Sequence, residues 1–106
     1  MGYYLFRASY TQKGIEGVLK EGGTARVAAV EKLVASVGGR VICQFWAFGA
    51  DDFLAVAELP DNAAAARLAA TVGATGTSSV TTTVLLTAAE IDDAVRRGVE
   101  YRAPGA

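Results

Sequence analysis

Two charged side chains, Asp52 and Arg7, are the best candidates for chemistry in this sequence. Asp52 stands at the head of a predicted strand among apolar residues, and an enclosed carboxylate of this kind acts as a general base or anchors a ligand hydroxyl. The alternative for Asp52 is a turn carboxylate that binds the backbone of its own hairpin. Arg7 lies in the middle of a predicted strand, where an unpaired guanidinium is unfavourable, so it either pairs with Glu58 across the sheet or holds an anionic ligand group. Asp52 and Arg7 are therefore the predicted catalytic residues.

Further residues form the predicted ligand-binding set: Trp46, Phe48, Gln44, Glu58 and Tyr10. Trp46 and Phe48 would stack on a planar ligand, although aromatic side chains on a sheet equally serve to pack an interface. The sequence contains no histidine and one cysteine, Cys43, so it lacks the commonest metal ligands and the usual axial ligand of haem. We therefore expect no metal site and no cofactor, and we expect Cys43 to be a buried structural thiol on the helix side of the sheet.

The elements that position these residues follow from apolar periodicity and turn residues. Strands are predicted at 3–10, 41–48, 53–59 and 80–86. Helices are predicted to begin at Thr24, at Asp61 and at Thr87, where Thr87 and Glu90 match a capping box. Glycines between Thr11 and Thr24 predict only a short turn there. The order β-α-β-β-α-β plus a C-terminal helix predicts an α+β, ferredoxin-like βαββαβ domain over residues 1–98, followed by a loose tail over 99–106.

Alternation along the strands divides the predicted sheet into a face covered by helices and an open face. The helix face is almost entirely apolar and includes Tyr10. The open face combines large apolar side chains with a few charges: Tyr3, Leu5, Arg7, Ser9, Ile42, Gln44, Trp46, Phe48, Asp52, Leu54, Val56, Glu58, Thr81, Thr83 and Leu85. A face turned to water is mostly polar, so this one is expected to be covered by a second copy of the chain. Its charges would not tolerate a dry core, which predicts a partly polar ligand cavity between the two sheets.

Four segments resemble the GYD-domain family over roughly residues 3–90: Tyr10-Thr11-Gln12-Lys13-Gly14-Ile15, Phe48-Gly49-Ala50-Asp51-Asp52-Phe53, Glu58-Leu59-Pro60-Asp61 and Gly73-Ala74-Thr75-Gly76-Thr77. The resemblance implies a dimeric α/β barrel, in which two ferredoxin-like subunits join through their sheets. Proteins of that architecture include cofactor-free monooxygenases, haem-degrading enzymes, muconolactone-type isomerases and polyketide cyclases, and any of these activities would be carried over by fold alone. The family has a tyrosine before its aspartate, and Asp51 takes that place here.

Composition and charge exclude several other classes of function. The net charge is −1 with acidic and basic residues interspersed, which is not typical of a nucleic-acid or membrane-surface protein. The apolar stretches are shorter than a membrane span, and the single cysteine suits a reducing compartment, so a cytoplasmic location is expected. These observations favour a homodimer or higher homo-oligomer that acts without a cofactor on a small apolar or aromatic metabolite, as an isomerase, cyclase or monooxygenase. The alternative is a non-catalytic module for ligand binding or assembly.

Overall fold

A computed structural model describes residues 1–106 as one four-stranded sheet with four helices. In chain order the elements are β1 (Gly2–Tyr10), α1 (Gln12–Glu21), α2 (Gly23–Ser36), β2 (Arg40–Trp46), β3 (Phe53–Leu59), α3 (Asn62–Ala74), β4 (Ser78–Leu85) and α4 (Ala88–Arg96). The strand order across the sheet is β2-β3-β1-β4, and all neighbouring strands are antiparallel. This order is that of the ferredoxin-like plan, and α4 is the added C-terminal helix, so the predicted fold class is confirmed. The division at residue 98 stays a prediction.

The first connection contains a helix where the sequence predicts only a short turn. Thr11 begins this helix, α1, because its hydroxyl accepts a hydrogen bond from the N–H of Gly14 at 3.2 Å. Gly14 lacks a side chain, which lets α1 lie directly against the carbonyl of Thr77, where a Cβ atom would overlap the oxygen. This tertiary contact offsets the low helix propensity of glycine, on which the prediction of a turn depends. Gly22, with a φ of 84°, separates α1 from α2.

β2 contains a bulge that reverses the side chains after it. Val41 lies opposite Ala57 and Cys43 lies opposite Val56, so β2 has one extra residue at Ile42. Because side chains alternate along a strand, one extra residue moves every later residue to the other face. Cys43 and Phe45 consequently lie on the open face.

The predicted faces of Gln44, Trp46 and Cys43 are therefore wrong. Gln44 lies opposite Ala55 and Trp46 opposite Phe53, on the helix side of the sheet. The prediction assumed an unbroken period of two, and the run from Val41 to Phe48 is apolar on both faces, so its pattern does not reveal the bulge. β2 also ends at Trp46, and Phe48 lies in the following loop as a fully exposed side chain.

The core lies between the helix side of the sheet and helices α2 and α3. Its buried members come from the two central strands and these two helices: Tyr4, Phe6, Val34, Ala57, Leu59, Ala65 and Leu68. α3 begins as predicted, because the Asp61 carboxylate accepts a hydrogen bond from the N–H of Ala64 at 2.9 Å. The Tyr4 hydroxyl donates to Asn62 Oδ1 at 2.6 Å and fixes α3 to β1. Only the helix side of the sheet is thus covered by the chain's own elements.

The last helix, α4, projects from the rest of the domain. Thr87 and Glu90 form the predicted capping box at its start. Every residue from Ala88 to Ala106 is exposed, and the chain extends over 57 × 33 × 22 Å. None of the helices combines the length and the apolar character that crossing a membrane requires.

Candidate functional site

A cavity of about 90 Å³ lies between the helix side of the sheet and helices α2 and α3. Three alanines leave room for it: Ala8 in β1 and Ala55 in β3 lie on the same face of the sheet, and Ala29 lies across from them in α2. Larger apolar side chains form most of the remaining wall: Phe6, Val30, Leu33, Val34, Phe53, Leu68, Val72 and Val80. The buried Ser78, which lies opposite Tyr10 in the sheet, completes it at the polar end. Tyr10, Arg26 and Thr77 line both this cavity and a neighbouring polar cleft, and they are called the mouth below. The cavity is therefore apolar inside and polar at one end.

The polar cleft has a volume of about 130 Å³ and lies along α1. Besides the mouth it is lined by Lys13, Gly14, Gly17, Val18 and Glu21. Arg26 Nη1 lies 3.2 Å from Glu21 Oε1, and the two side chains are 36% and 44% exposed. An ion pair this exposed contributes little free energy, so it can open to admit an anionic ligand group. The cleft thus places two cations, Lys13 and Arg26, beside the apolar cavity.

Tyr10 joins the mouth to the aromatic side chains of β2 and β3. Its ring stacks on that of Trp46 with 5.8 Å between centroids and 22° between planes. Trp46 in turn meets the Phe53 ring edge-on at 5.1 Å. Burial raises the pKa of Tyr10 above its ordinary value of 10.0, and the nearby Arg26 partly opposes this shift. The Tyr10 phenol is therefore protonated at neutral pH and is available as a hydrogen-bond donor.

Two loops hold the end of β1, and with it Tyr10, in place. Asp52 Oδ2 accepts a hydrogen bond from the Tyr10 backbone N–H at 2.8 Å. The Asp52 N–H donates to the carbonyl of Ala8 at 2.9 Å. On the other side, the Thr11 N–H donates to the Thr77 carbonyl at 2.9 Å and its hydroxyl donates to the Gly76 carbonyl at 2.8 Å. The turn before β3 and the loop before β4 therefore both fix the mouth.

The raised pKa of Tyr10 predicts a loss of stability at high pH. Above about pH 10 the unfolded chain releases this phenolic proton while the folded chain retains it. Folding stability therefore falls as the pH rises through this range. The test compares the unfolding free energies of the wild type and Tyr10→Phe in urea from pH 8 to pH 11. We expect the wild type to lose stability relative to Tyr10→Phe only above about pH 10. A difference that does not change with pH would contradict the assignment.

The predicted site residues are divided between the two faces of the sheet. Trp46 and Tyr10 lie together on the helix side, and Gln44 Nε2 donates to the Val27 carbonyl at 3.3 Å, which ties β2 to α2. The Asp52 carboxylate binds the backbone of β1 rather than that of its own hairpin between β2 and β3. Its predicted catalytic role, like the ligand-binding role of the exposed Phe48, stays a prediction. No three side chains of His, Cys, Asp or Glu are grouped so as to hold a metal ion.

Arg7 and Glu58 share the open face, but the predicted pair between them is wrong. Glu58 accepts a hydrogen bond from Arg40 Nε at 2.8 Å, since Arg40 lies directly opposite it in the sheet. Glu58 is opposite Tyr3, and Arg7 is four residues further along β1, or about 13 Å away. Arg7 lies between Leu54 and Thr81, and its Nε is buried without a hydrogen-bond partner.

Arg26 and Thr77 are the mouth residues that sequence reasoning missed. Helical spacing does contain a signal for Arg26, because it precedes Ala29, Val30 and Leu33 by three, four and seven residues on the face of α2 that lines the cavity. A charged residue at the head of an apolar stripe is unusual enough to mark a site. Thr77 has no such signal, since its position depends on the contact between α1 and the loop before β4.

Three of the four segments that resemble a known family converge on this site, and the fourth, residues 58–61, lies at the other end of the sheet. The first of these segments contacts the other two: Tyr10 binds Asp52 in the turn before β3, and Gly14 lies against Thr77 in the loop before β4. A family model described as GYD domain matches residues 4–95. The chain belongs to the GYD domain family. Searches of curated proteins and of solved structures give no match. In this GYD domain three of the four shared segments thus lie around the mouth of the apolar cavity.

Proposed function

We propose that this GYD domain binds a small, mostly apolar or aromatic metabolite that carries an acidic group. The observation that supports this proposal is the apolar cavity whose polar groups, Tyr10 and Arg26, are concentrated at its mouth. An apolar enclosure with a few convergent polar groups is typical of small-molecule sites. The apolar body of the ligand would occupy the cavity, and its acidic group would lie in the cleft between Lys13 and Arg26.

The size of the cavity limits the ligand. About 90 Å³ holds an apolar group on the scale of a ring or a short branched chain, well below the space of a drug-sized site. The aromatic wall formed by Tyr10 and Phe53 suits the face or edge of a planar group. A charge-assisted hydrogen bond from Arg26 and a neutral one from the Tyr10 phenol would select a carboxylate over an uncharged analogue.

The test is a binding titration with small aromatic and branched aliphatic carboxylates, each compared with its neutral amide. We expect the acid of at least one pair to bind about tenfold more tightly than the amide, and Arg26→Gln to remove this preference. Ala29→Leu places extra methyl groups in the cavity and is expected to weaken binding by about tenfold or more. Ala28→Leu is the matched control, because Ala28 is the adjacent residue and is exposed. Absence of binding in every pair, or binding that Ala29→Leu leaves unchanged, would contradict the proposal.

A second candidate is a cofactor-independent enzyme of the isomerase, cyclase or monooxygenase type at the same mouth. The observation that favours it is the protonated Tyr10 phenol next to the Arg26 guanidinium. A phenol donor and a cation directed at one ligand oxygen stabilise negative charge that develops on that oxygen. In this mechanism Asp52 holds Tyr10 in position through the backbone rather than removing a proton itself. Tyr10→Phe should then abolish turnover while ligand binding weakens only modestly.

We also propose that the protein is a homodimer joined through the open faces of two sheets. The support is the apolar character of this face, which includes Leu5, Leu54, Val56 and Leu85, together with Phe45 at 66% exposure. Contact with a second copy would remove these side chains from water and contribute favourable free energy in proportion to their area.

A further inference from the structure

The last helix and the segment after it have an apolar stripe that nothing in their own chain covers. Ile91, Val95 and Val99 recur at a spacing of four residues and are 47%, 79% and 83% exposed. Ile91 and Val95 lie in α4, where this spacing places them on one face, whereas Val99 lies beyond the end of the helix. Tyr101 continues the apolar surface at 70% exposure. Residues 88–101 are called the arm below.

The arm makes the molecule far more extended than a compact domain. The radius of gyration is 17.0 Å, whereas a compact chain of this length has a value of about 13 Å. An amphipathic helix in this position needs a surface on which to bury its stripe, because an isolated helix of nine residues is marginal in water.

From these observations we propose that the arm is exchanged between two copies of the chain, each packing its apolar stripe on the other. The inference rests on the homodimer proposed above. The arm continues from this interface, since α4 begins at Ala88, three residues after Leu85, which lies on the open face at the end of the edge strand β4. A two-fold axis through the interface makes the exchange reciprocal, so each dimer buries two arms.

The area of the open face supports a second copy as the partner. Four strands at about 4.8 Å spacing and about 25 Å in length cover a footprint of roughly 500 Å². A stable dimer usually buries about 800 Å² on each partner. Contact between the sheets alone falls short of this area, and two exchanged arms supply apolar surface where it is lacking.

The charges of the arm disfavour a membrane surface as its partner. The arm contains two basic side chains, Arg96 and Arg97, against four acidic ones, Glu90, Asp92, Asp93 and Glu100. Helices that lie on anionic bilayers are rich in lysine and arginine on their polar face. The net charge of this segment is negative, which favours a protein surface over an anionic bilayer as the partner of its apolar stripe.

The test uses the full chain in sedimentation velocity over a range of concentrations. The variant Ile91→Glu with Val95→Lys removes the stripe, and it preserves the helix because the new pair is spaced for an i,i+4 ion pair. We expect it to weaken dimerisation by about 100-fold or more. Ala89→Glu, on the opposite side of α4, is the matched control and should leave the dimer unchanged.

A second measurement separates an exchanged arm from one that packs within its own subunit. A spin label is attached at Arg102→Cys, just beyond the far end of the arm, in a Cys43→Ser chain. This chain is mixed with isotope-labelled wild-type chain, so that any paramagnetic broadening of the isotope-labelled amides is intermolecular. If the arm is exchanged, we expect broadening of amides in the sheet of the isotope-labelled chain. A monomeric wild type would overturn both the homodimer and the arm. A dimer that survives Ile91→Glu with Val95→Lys and shows no intermolecular broadening would overturn the arm alone.

Discussion

Replacing Gly14 with alanine is expected to destabilise the domain by about 3 kcal/mol, measured as the free energy of unfolding in urea. A Cβ atom at this position would overlap the carbonyl oxygen of Thr77 and would also lie 3.0 Å from the Tyr10 ring. The obstructing atom belongs to the backbone, which cannot rotate away as a side chain can. Helix α1 must therefore move, and the hydrogen bond from the Thr11 N–H to Thr77 at 2.9 Å is strained or lost.

Gly17 provides the control for this substitution, because it lies in the same helix three residues later. Nothing is within 4 Å of a Cβ atom built on Gly17. Gly17→Ala should therefore stabilise the domain by about 0.5–1 kcal/mol through helix propensity alone. The Gly14 substitution should also weaken ligand binding, since Gly14 lines the polar cleft. Equal effects of the two substitutions would show that α1 does not depend on its contact with the loop before β4.

Replacing Asp52 with alanine is expected to reduce stability by about 1–3 kcal/mol and to weaken ligand binding. The carboxylate accepts the Tyr10 N–H at 2.8 Å, and removing it leaves a part-buried donor without a partner. The end of β1 then loses one of the contacts that hold Tyr10 at the mouth. Urea unfolding and the binding titration with carboxylate ligands measure the two effects.

Asparagine at position 52 distinguishes a positioning role from a catalytic one. Its side-chain oxygen still accepts the Tyr10 N–H, so Asp52→Asn should retain most of the stability and binding if the carboxylate only positions Tyr10. A general base at this position would instead lose its turnover on the same substitution while stability is retained. Asp51→Ala is the matched control, because Asp51 is adjacent in the same turn and accepts no hydrogen bond.

Local patterns in the sequence determined seven of the eight elements and their order, and they missed only α1. The capping residues Asp61 and Thr87 each begin a helix as expected, because a cap depends on side-chain and backbone atoms within three residues. Helix α1 after Thr11 was not expected, because its glycines are tolerated only through the tertiary contact with Thr77. The strands follow from alternation and β-branched residues, and their order with the helices is enough to give the ferredoxin-like fold. The open apolar face of β1, β3 and β4 was predicted correctly for the same reason.

Only the tertiary structure decided where the cavity lies and which residues reach it. The extra residue at Ile42 places Trp46 beside Tyr10 on the helix side, and a bulge depends on pairing between strands rather than on the pattern within one strand. The cavity arises where Ala8, Ala29 and Ala55 meet from three separate elements. Whether such small side chains leave a space depends on the volumes of all their neighbours in three dimensions, which no local pattern contains.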